Sequence, residues 1–134
     1  MGDYDKALKF YQQALDINEK LGGTKYTDIA ITLNNLAELY RHMGKYEIAY
    51  LHYQRALAIN RKVLGPQHPS VATTLNNLAG LYRQMGEYEK ALPLYQSALE
   101  IVEKKLGQKH PNTITIKNNY NKILSKISEE NEDK

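Results

Sequence analysis

The stretch "TLNNLA" at residues 32–37 returns unchanged at 74–79, 42 residues later. Asn is a mediocre helix former because its amide competes for nearby backbone groups. Two side by side inside an apolar helical pattern, placed twice, therefore need a reason, and the reason depends on which way each one points. The stretch belongs to a longer repeat: aligned without a gap, residues 29–70 and 71–112 are identical at 25 of 42 positions. The period runs backward, pairing Tyr46 with Tyr4, Ala49 with Ala7, Tyr53 with Tyr11 and Ala56 with Ala14. It runs forward too, pairing Asn76 and Asn77 with Asn118 and Asn119. A fixed period of this length marks a stacked repeat architecture.

Within one period, Leu75, Leu78, Ala79 and Tyr82 recur at helical spacing, and Tyr88, Ala91, Tyr95, Ala98 and Leu99 do so on the following segment. Each repeat is thus a pair of amphipathic helices, with Gly44 and Gly86 at the tight turns and Gly2 as their counterpart. The longer connections "LGPQHPS" and "LGQKHPN" open on Gly65 and Gly107, read as left-handed caps. Asp28, Ser70 and Asn112 hold equivalent places just before the next helix, as N-caps would. The pattern predicts helices at 3–21, 28–43, 45–63, 70–85, 87–106 and 112–128. Pro93 falls inside the fifth, where it removes the hydrogen bond to the Glu89 carbonyl and predicts a bend. Gly22–Gly23 replaces the Leu–Gly of later repeats and loosens the first long loop.

The expected organisation is a single helical repeat domain over 1–128. Residues 1–28 form the second half of a repeat, 29–70 and 71–112 complete repeats, and 113–128 a terminal first helix; 129–134 form an acidic disordered tail. That tail, "EENEDK", holds four acids and one Lys, so the net +3 of the chain conceals +6 on residues 1–128. A mildly basic body favours acidic partners over basic ones. With no cysteine, disulfides and thiolate metal sites are excluded, which is compatible with a reducing, cytoplasmic setting. The acidic opening "MGDYDKALKF" is no signal peptide, and no apolar run reaches membrane-spanning length.

The run "LNNLAGLYRQMGEYEKALPLYQSALEI" at residues 75–101 resembles a tetratricopeptide repeat, with Leu78, Ala79, Tyr82, Gly86, Tyr88, Ala91, Tyr95 and Ala98 on the signature positions. The 42-residue spacing, the twin Asn and the "HP" loop are similar to the longer variant of kinesin light chains. The resemblance covers residues 1–128. It implies an all-α fold, a right-handed superhelical solenoid of antiparallel helix pairs with about six helices, whose first helices line an inner, peptide-binding face. The chain begins at a second helix and ends with a first one, which suggests an array truncated or excised from a longer one.

On a helical wheel, Leu75, Leu78 and Tyr82 mark one face, and Asn77 lies about 100° from Leu78, on a stripe with Thr73, Gly80 and Gln84. The equivalents are Ile31, Asn35, Glu38 and His42 in the preceding repeat, and Thr115, Asn119, Lys122 and Lys126 in the last. By the resemblance this stripe faces the groove, so Asn35, Asn77 and Asn119 form a ladder. An amide there donates to a peptide carbonyl and accepts from a peptide N–H, and so reads backbone whatever the ligand's side chains. Neighbouring helices pack about 8–10 Å apart and an extended peptide advances about 3.3 Å per residue, so the ladder spans about six to eight ligand residues. Asn34, Asn76 and Asn118 point nearer the packing seam and are assigned to tying helices together. Arg41 and Arg83 follow the stripe by one residue, and with Lys122 and Lys126 make a positive rim, suited to acidic groups or to salt bridges within the chain.

No nucleophile, base and orienter are suggested by spacing, so the chain is read as a non-enzyme. His42, His52, His68 and His110 lack metal-ligand spacing, and "LGGTKYTD" lacks the frame of a phosphate-binding loop. Neither cofactor nor metal is expected. The Tyr series packs helical layers and is no base-stacking platform, and no contiguous basic stripe supports RNA, the weakest alternative. The leading reading is a scaffold or adaptor that binds an extended peptide or flexible protein segment. The rival is a self-assembly unit forming homo-oligomers through the N-terminal end, where Leu8, Tyr11 and Leu15 lack a first helix to cover them.

Overall fold

The computed structural model describes residues 2–20 and 26–132. Gly22–Gly23, where the sequence suggests a loosened loop, lies outside the described residues. Six α-helices follow one another: α1 (Gly2–Lys20), α2 (Tyr26–His42), α3 (Tyr46–Leu64), α4 (Pro69–Gln84), α5 (Tyr88–Leu106) and α6 (Pro111–Glu132), with no strand among the described residues. The all-α expectation and the count of helices hold. The chain divides into two units, Met1–Pro66 with α1 to α3 and Gln67–Lys134 with α4 to α6.

Both units build their central hairpin in the same way. After α2 the Lys45 N–H donates to the Tyr40 carbonyl at 2.8 Å and the Gly44 N–H to that of Arg41 at 3.0 Å. After α4 the Glu87 and Gly86 N–H groups repeat these bonds to Tyr82 and Arg83 at 2.9 and 3.0 Å. This is a Schellman closure, which consumes carbonyls that a helix end would leave unpaired and requires φ > 0 at its penultimate residue. Gly44 and Gly86 both adopt φ 79°. The chain reverses there, so α3 returns along α2 and α5 along α4.

In the first unit, Ile29, Ala30 and Leu33 of α2 pack with Ala56 of α3, and Ile59 joins them at the edge. Small Ala at the crossing lets the helices approach closely, while the branched residues fill the space on either side. In the second, Ala79, Ala91, Tyr95 and Ile123 come from α4, α5 and α6, so the last helix shares one core with the pair before it. Tyr82, Tyr88 and Tyr120 pack around it, which explains part of the Tyr-rich composition: large apolar area with a polar tip that can reach the surface. Pro93 stands in the second turn of α5, which is continuous as a helix from Tyr88 to Leu106.

Three local expectations need correction. Ser70 and Asn112 are not N-caps: α4 begins at Pro69, capped by His68, whose Nδ1 accepts from the Ser70 N–H at 3.0 Å. His110 does the same for the Asn112 N–H at 3.1 Å, ahead of Pro111. The Pro after each His has no N–H to satisfy and a φ already suited to a first helical turn, so the helix starts earlier than Ser or Asn alone would suggest. Asp28 likewise falls inside the first turn of α2.

Gly65 (φ 93°, ψ 152°) and Gly107 (φ 86°, ψ 166°) are not left-handed helical caps either. They lie in an extended region at positive φ that is essentially closed to other residues. Finally, α6 runs to Glu132, past the expected end at 128, so residues 129–132 of the acidic segment are helical. Glu is a good helix former, and Lys126 and Glu129 approach to 3.9 Å one turn apart.

Candidate functional site

The first helix of each pair buries one face completely and leaves a polar stripe beside it. In α4, Val71, Ala72, Thr74, Leu75, Leu78, Ala79, Gly80 and Leu81 are buried. Thr73, Arg83 and Gln84 are exposed, and Asn76 and Asn77 are half-buried between the two zones. In α2 the same places are taken by Asn34 and Asn35, both half-buried. The twin asparagines thus sit at the border of the core, less open than a solvated stripe would be.

The members of each pair differ in their bonds. Asn119 of α6 donates a side-chain N–H to the Asn76 side-chain Oδ1 at 3.1 Å, which stitches α6 to α4. Asn76 therefore ties helices together, as its place near the seam suggests. Asn119, placed on the ladder from the sequence, contributes one N–H to this tie, and its carbonyl oxygen and second N–H make no bond among the described residues. The side chains of Asn35 and Asn77 make no hydrogen bond to any described residue. A half-buried amide left unbonded costs free energy unless water or a ligand satisfies it.

The remaining candidates on α2 bind one another. Glu38 accepts from the Arg41 guanidinium at 2.8 Å and from the Tyr53 hydroxyl of α3, and lies 3.8 Å from the His42 Nε2. Arg41 is largely covered, its side chain only 17% exposed, with its Nε buried away from any acceptor among the described residues. Burial first, and then the hydrogen bond and negative charge of Glu38, hold the Tyr53 hydroxyl well above the ordinary tyrosine range; Arg41 opposes them. Helical spacing shows the Glu38–Arg41 pair but gives no sign of Tyr53, because a wheel drawn for α2 says nothing about what α3 brings to it.

In the second unit Gly80 stands where α2 has Glu38, and α6 has Lys122 there. Arg83 and Lys122 are exposed and have no ion pair or hydrogen bond among the described residues, while Lys126 pairs with Glu129. The Thr73 hydroxyl donates to the Pro69 carbonyl of its own helix at 3.3 Å, and Gln84 is exposed. At the N-terminal end, Leu8 and Tyr11 are half-buried and the Leu15 side chain lies outside the described residues. Among the described residues no group of His and carboxylates is placed to hold a metal, and no helix is long and apolar enough to cross a membrane.

Comparison with known proteins gives one family. A family model described as tetratricopeptide repeat matches residues 1–62, 28–104 and 70–127. No curated protein matches the sequence. Among solved structures, BtubC (BKLC) from P. vanneervenii is similar, with 28% identity and a TM-score of 0.85 over 93% of this chain. A putative kinesin light chain with nearly identical TPR-like repeats from Podosopora anserina is 23% identical, with a TM-score of 0.79 over 91% of this chain. A single-substitution form of that fungal protein is 22% identical, with a TM-score of 0.75 over 98% of this chain. This chain spans 49% of the first of these proteins and 58% and 62% of the others.

Proposed function

Because the chain belongs to the tetratricopeptide repeat family, whose members are generally scaffolds for protein–protein interaction, we propose that it binds an extended peptide or flexible protein segment along the polar stripes of its first helices. The observation that carries this reading is the pair of half-buried amides on Asn35 and Asn77, which no described residue satisfies. An extended ligand strand offers a carbonyl and an N–H to each such amide, while water satisfies it only until the ligand arrives. Asn119 keeps an acceptor and one donor for the same purpose. Thr73, Gln84 and His42 flank the ladder as adaptable polar contacts. Glu38 and Arg41 shape it from within their own network, and Arg83, Lys122 and Lys126 give it a positive edge.

On this reading the repeat portion, residues 1–128, is the binding module of a non-catalytic adaptor acting in the cytoplasm, and its ligand contributes chain rather than a reacting group. The test is a titration of the isotope-labelled protein with a degenerate octapeptide library, amidated at its C-terminus. The side-chain amide resonances of Asn35, Asn77 and Asn119 should shift together and saturate. Shifts confined to other surfaces, or none at millimolar peptide, would refute the proposal.

A further inference from the structure

The outward face of α3 differs from those of the other second helices, α1 and α5. Ile48, Leu51, Arg55, Ala58 and Lys62 follow one another at alternating spacings of three and four, and all five are exposed. Leu51 is 64% exposed and Ile48 39%, and Val63, next to Lys62, is 45% exposed. On α5 the same places hold Lys90, Pro93, Ser97, Glu100 and Lys104, and on α1 Lys6, Lys9, Gln13 and Asp16 lead the same series. The repeat therefore folds without apolar side chains at these places. What α3 buries is the other side of the helix, Ala49, Tyr53, Ala56, Leu57 and Asn60. An apolar stripe that the fold does not use is left in water on α3 alone.

A cleft stands at the end of this stripe. Tyr26, the first residue of α2, encloses about 260 Å³ together with Ala58, Ile59, Lys62 and Val63 of α3. That is below the usual size of a small-molecule pocket, and it suits a single large apolar side chain set in place by a partner. From Ile48 to Lys62 the stripe runs about 21 Å at the rise of an α-helix. Its three–four spacing is the seam along which a second helix packs at a shallow angle. The cations stand in the seam itself: Arg55 lies between Leu51 and Ala58, and Lys62 borders the cleft with no ion pair or hydrogen bond among the described residues.

We propose that the outward stripe of α3 docks an amphipathic helix of another protein, which lays apolar side chains along Ile48 and Leu51, sets one large apolar side chain in the cleft at Tyr26 and Val63, and brings carboxylates to Arg55 and Lys62. The charges decide against a second copy of this chain. The stripe is centred on Arg55, so two copies laid antiparallel about a two-fold axis would set Arg55 against its own counterpart and Ile48 against Lys62. A parallel pairing would set both cations against themselves. The charges decide against a lipid surface too, because an interfacial helix keeps its cations on the polar flank and clear of the apolar face. The area offered is only about 20 Å by 10 Å, far below that of a permanent interface, so the docking is weak and exchangeable. It uses a second helix and not the polar stripes of the first helices, so the octapeptide titration can fail and leave it intact.

The experiment uses the whole chain and three fluorescent helical peptides of about 18 residues, built on a leucine seam with three–four spacing. The first carries Glu at two seam positions seven apart, to meet Arg55 and Lys62; the second carries Lys there; the third has the composition of the first with its seam scrambled. By anisotropy the Glu peptide should bind at about 0.1 mM. It should bind about tenfold more tightly than the Lys peptide at low salt, with that margin narrowed at about 1 M salt. Leu51→Gln should weaken the Glu peptide at least about fivefold with the thermal midpoint unchanged. Lys62→Glu should bring the margin between the Glu and Lys peptides to about onefold, and Ile114→Gln, at an exposed apolar place on α6, should leave both unchanged. Equal binding of the Glu and Lys peptides, a scrambled peptide as tight as the Glu one, no binding at about 1 mM, or full affinity in Leu51→Gln would each overturn the proposal. A dimer in sedimentation that Leu51→Gln abolishes would overturn it in favour of a second copy. Binding to vesicles of mixed neutral and anionic phospholipid that Leu51→Gln abolishes would overturn it in favour of a membrane.

Discussion

Tyr53 and Glu38 are the residues whose chemistry is best defined. The phenol is completely buried and donates to a carboxylate that is itself partly exposed, so neither group can be altered without exposing a cost in the other. Because the hydroxyl is held above its ordinary value of 10.0, the unfolded chain loses this proton first as pH rises. The stability attached to Tyr53 is therefore complete below about pH 10 and declines above it, by up to about 1.4 kcal/mol per pH unit. In Tyr53→Phe that part of the alkaline slope should vanish, while stability at neutral pH falls by about 1.5–3 kcal/mol because Glu38 loses its donor. Urea unfolding of both forms at pH 7, 9 and 11 checks this; equal alkaline slopes would place the Tyr53 hydroxyl outside the network.

At the scale of the helix, what the sequence shows and what it hides follow from the range of each interaction. The 42-residue period, the pairing of helices and the turns at Gly44 and Gly86 are local or repeated, and they stand as read. The starts of α4 and α6 differ from the expected ones because Ser70 and Asn112 are good caps in general, yet His68 and His110 carry acceptors of their own and are followed by Pro. A His acceptor in "HP" is visible in the sequence, but its use depends on ring orientation. His68→Ala should cost about 0.5–2 kcal/mol, as loss of a cap acceptor does, and His68→Asn should restore most of it. Ser70→Ala, which keeps the backbone N–H that His68 receives, should cost less. Chemical denaturation of the three variants ranks them, and a larger loss for Ser70→Ala would return the cap to the hydroxyl.

The direction of the asparagines belongs to a longer range still. The wheel places Asn77 and Asn119 on one stripe, but the bond that distinguishes them joins residues 43 apart on separate helices. No periodicity within one helix contains that distance. The same holds for Tyr53 and Glu38, which are 15 residues apart and meet only because α3 folds back on α2. The place of each asparagine on its own helix is therefore legible, and the division of labour among them is not. Charge is legible in the opposite sense: the +6 body suggests a positive rim, yet Arg41 is bonded to Glu38 and Lys126 lies 3.9 Å from Glu129, while Arg83 and Lys122 have no ion pair among the described residues.

For the whole molecule, the central proposal is that Asn35 and Asn77 address a ligand's backbone rather than hold the fold. Asn35 and Asn77 have no bond to lose within the described chain, whereas Leu36 and Leu78 beside them are buried at 0% and 1% exposure. Each neutral hydrogen bond to a ligand contributes about 0.5–1.5 kcal/mol, so removing two amides that both donate and accept should weaken a micromolar ligand at least about tenfold. Truncating Leu78 should instead cost about 2–5 kcal/mol of stability. The most direct measurement is the affinity of Asn35→Ala/Asn77→Ala for a peptide selected from the octapeptide library, taken together with its thermal midpoint and that of Leu78→Ala. The account predicts at least about tenfold weaker binding with a midpoint close to that of the unmodified protein. Unchanged affinity, or a midpoint lowered as far as in Leu78→Ala, would contradict it.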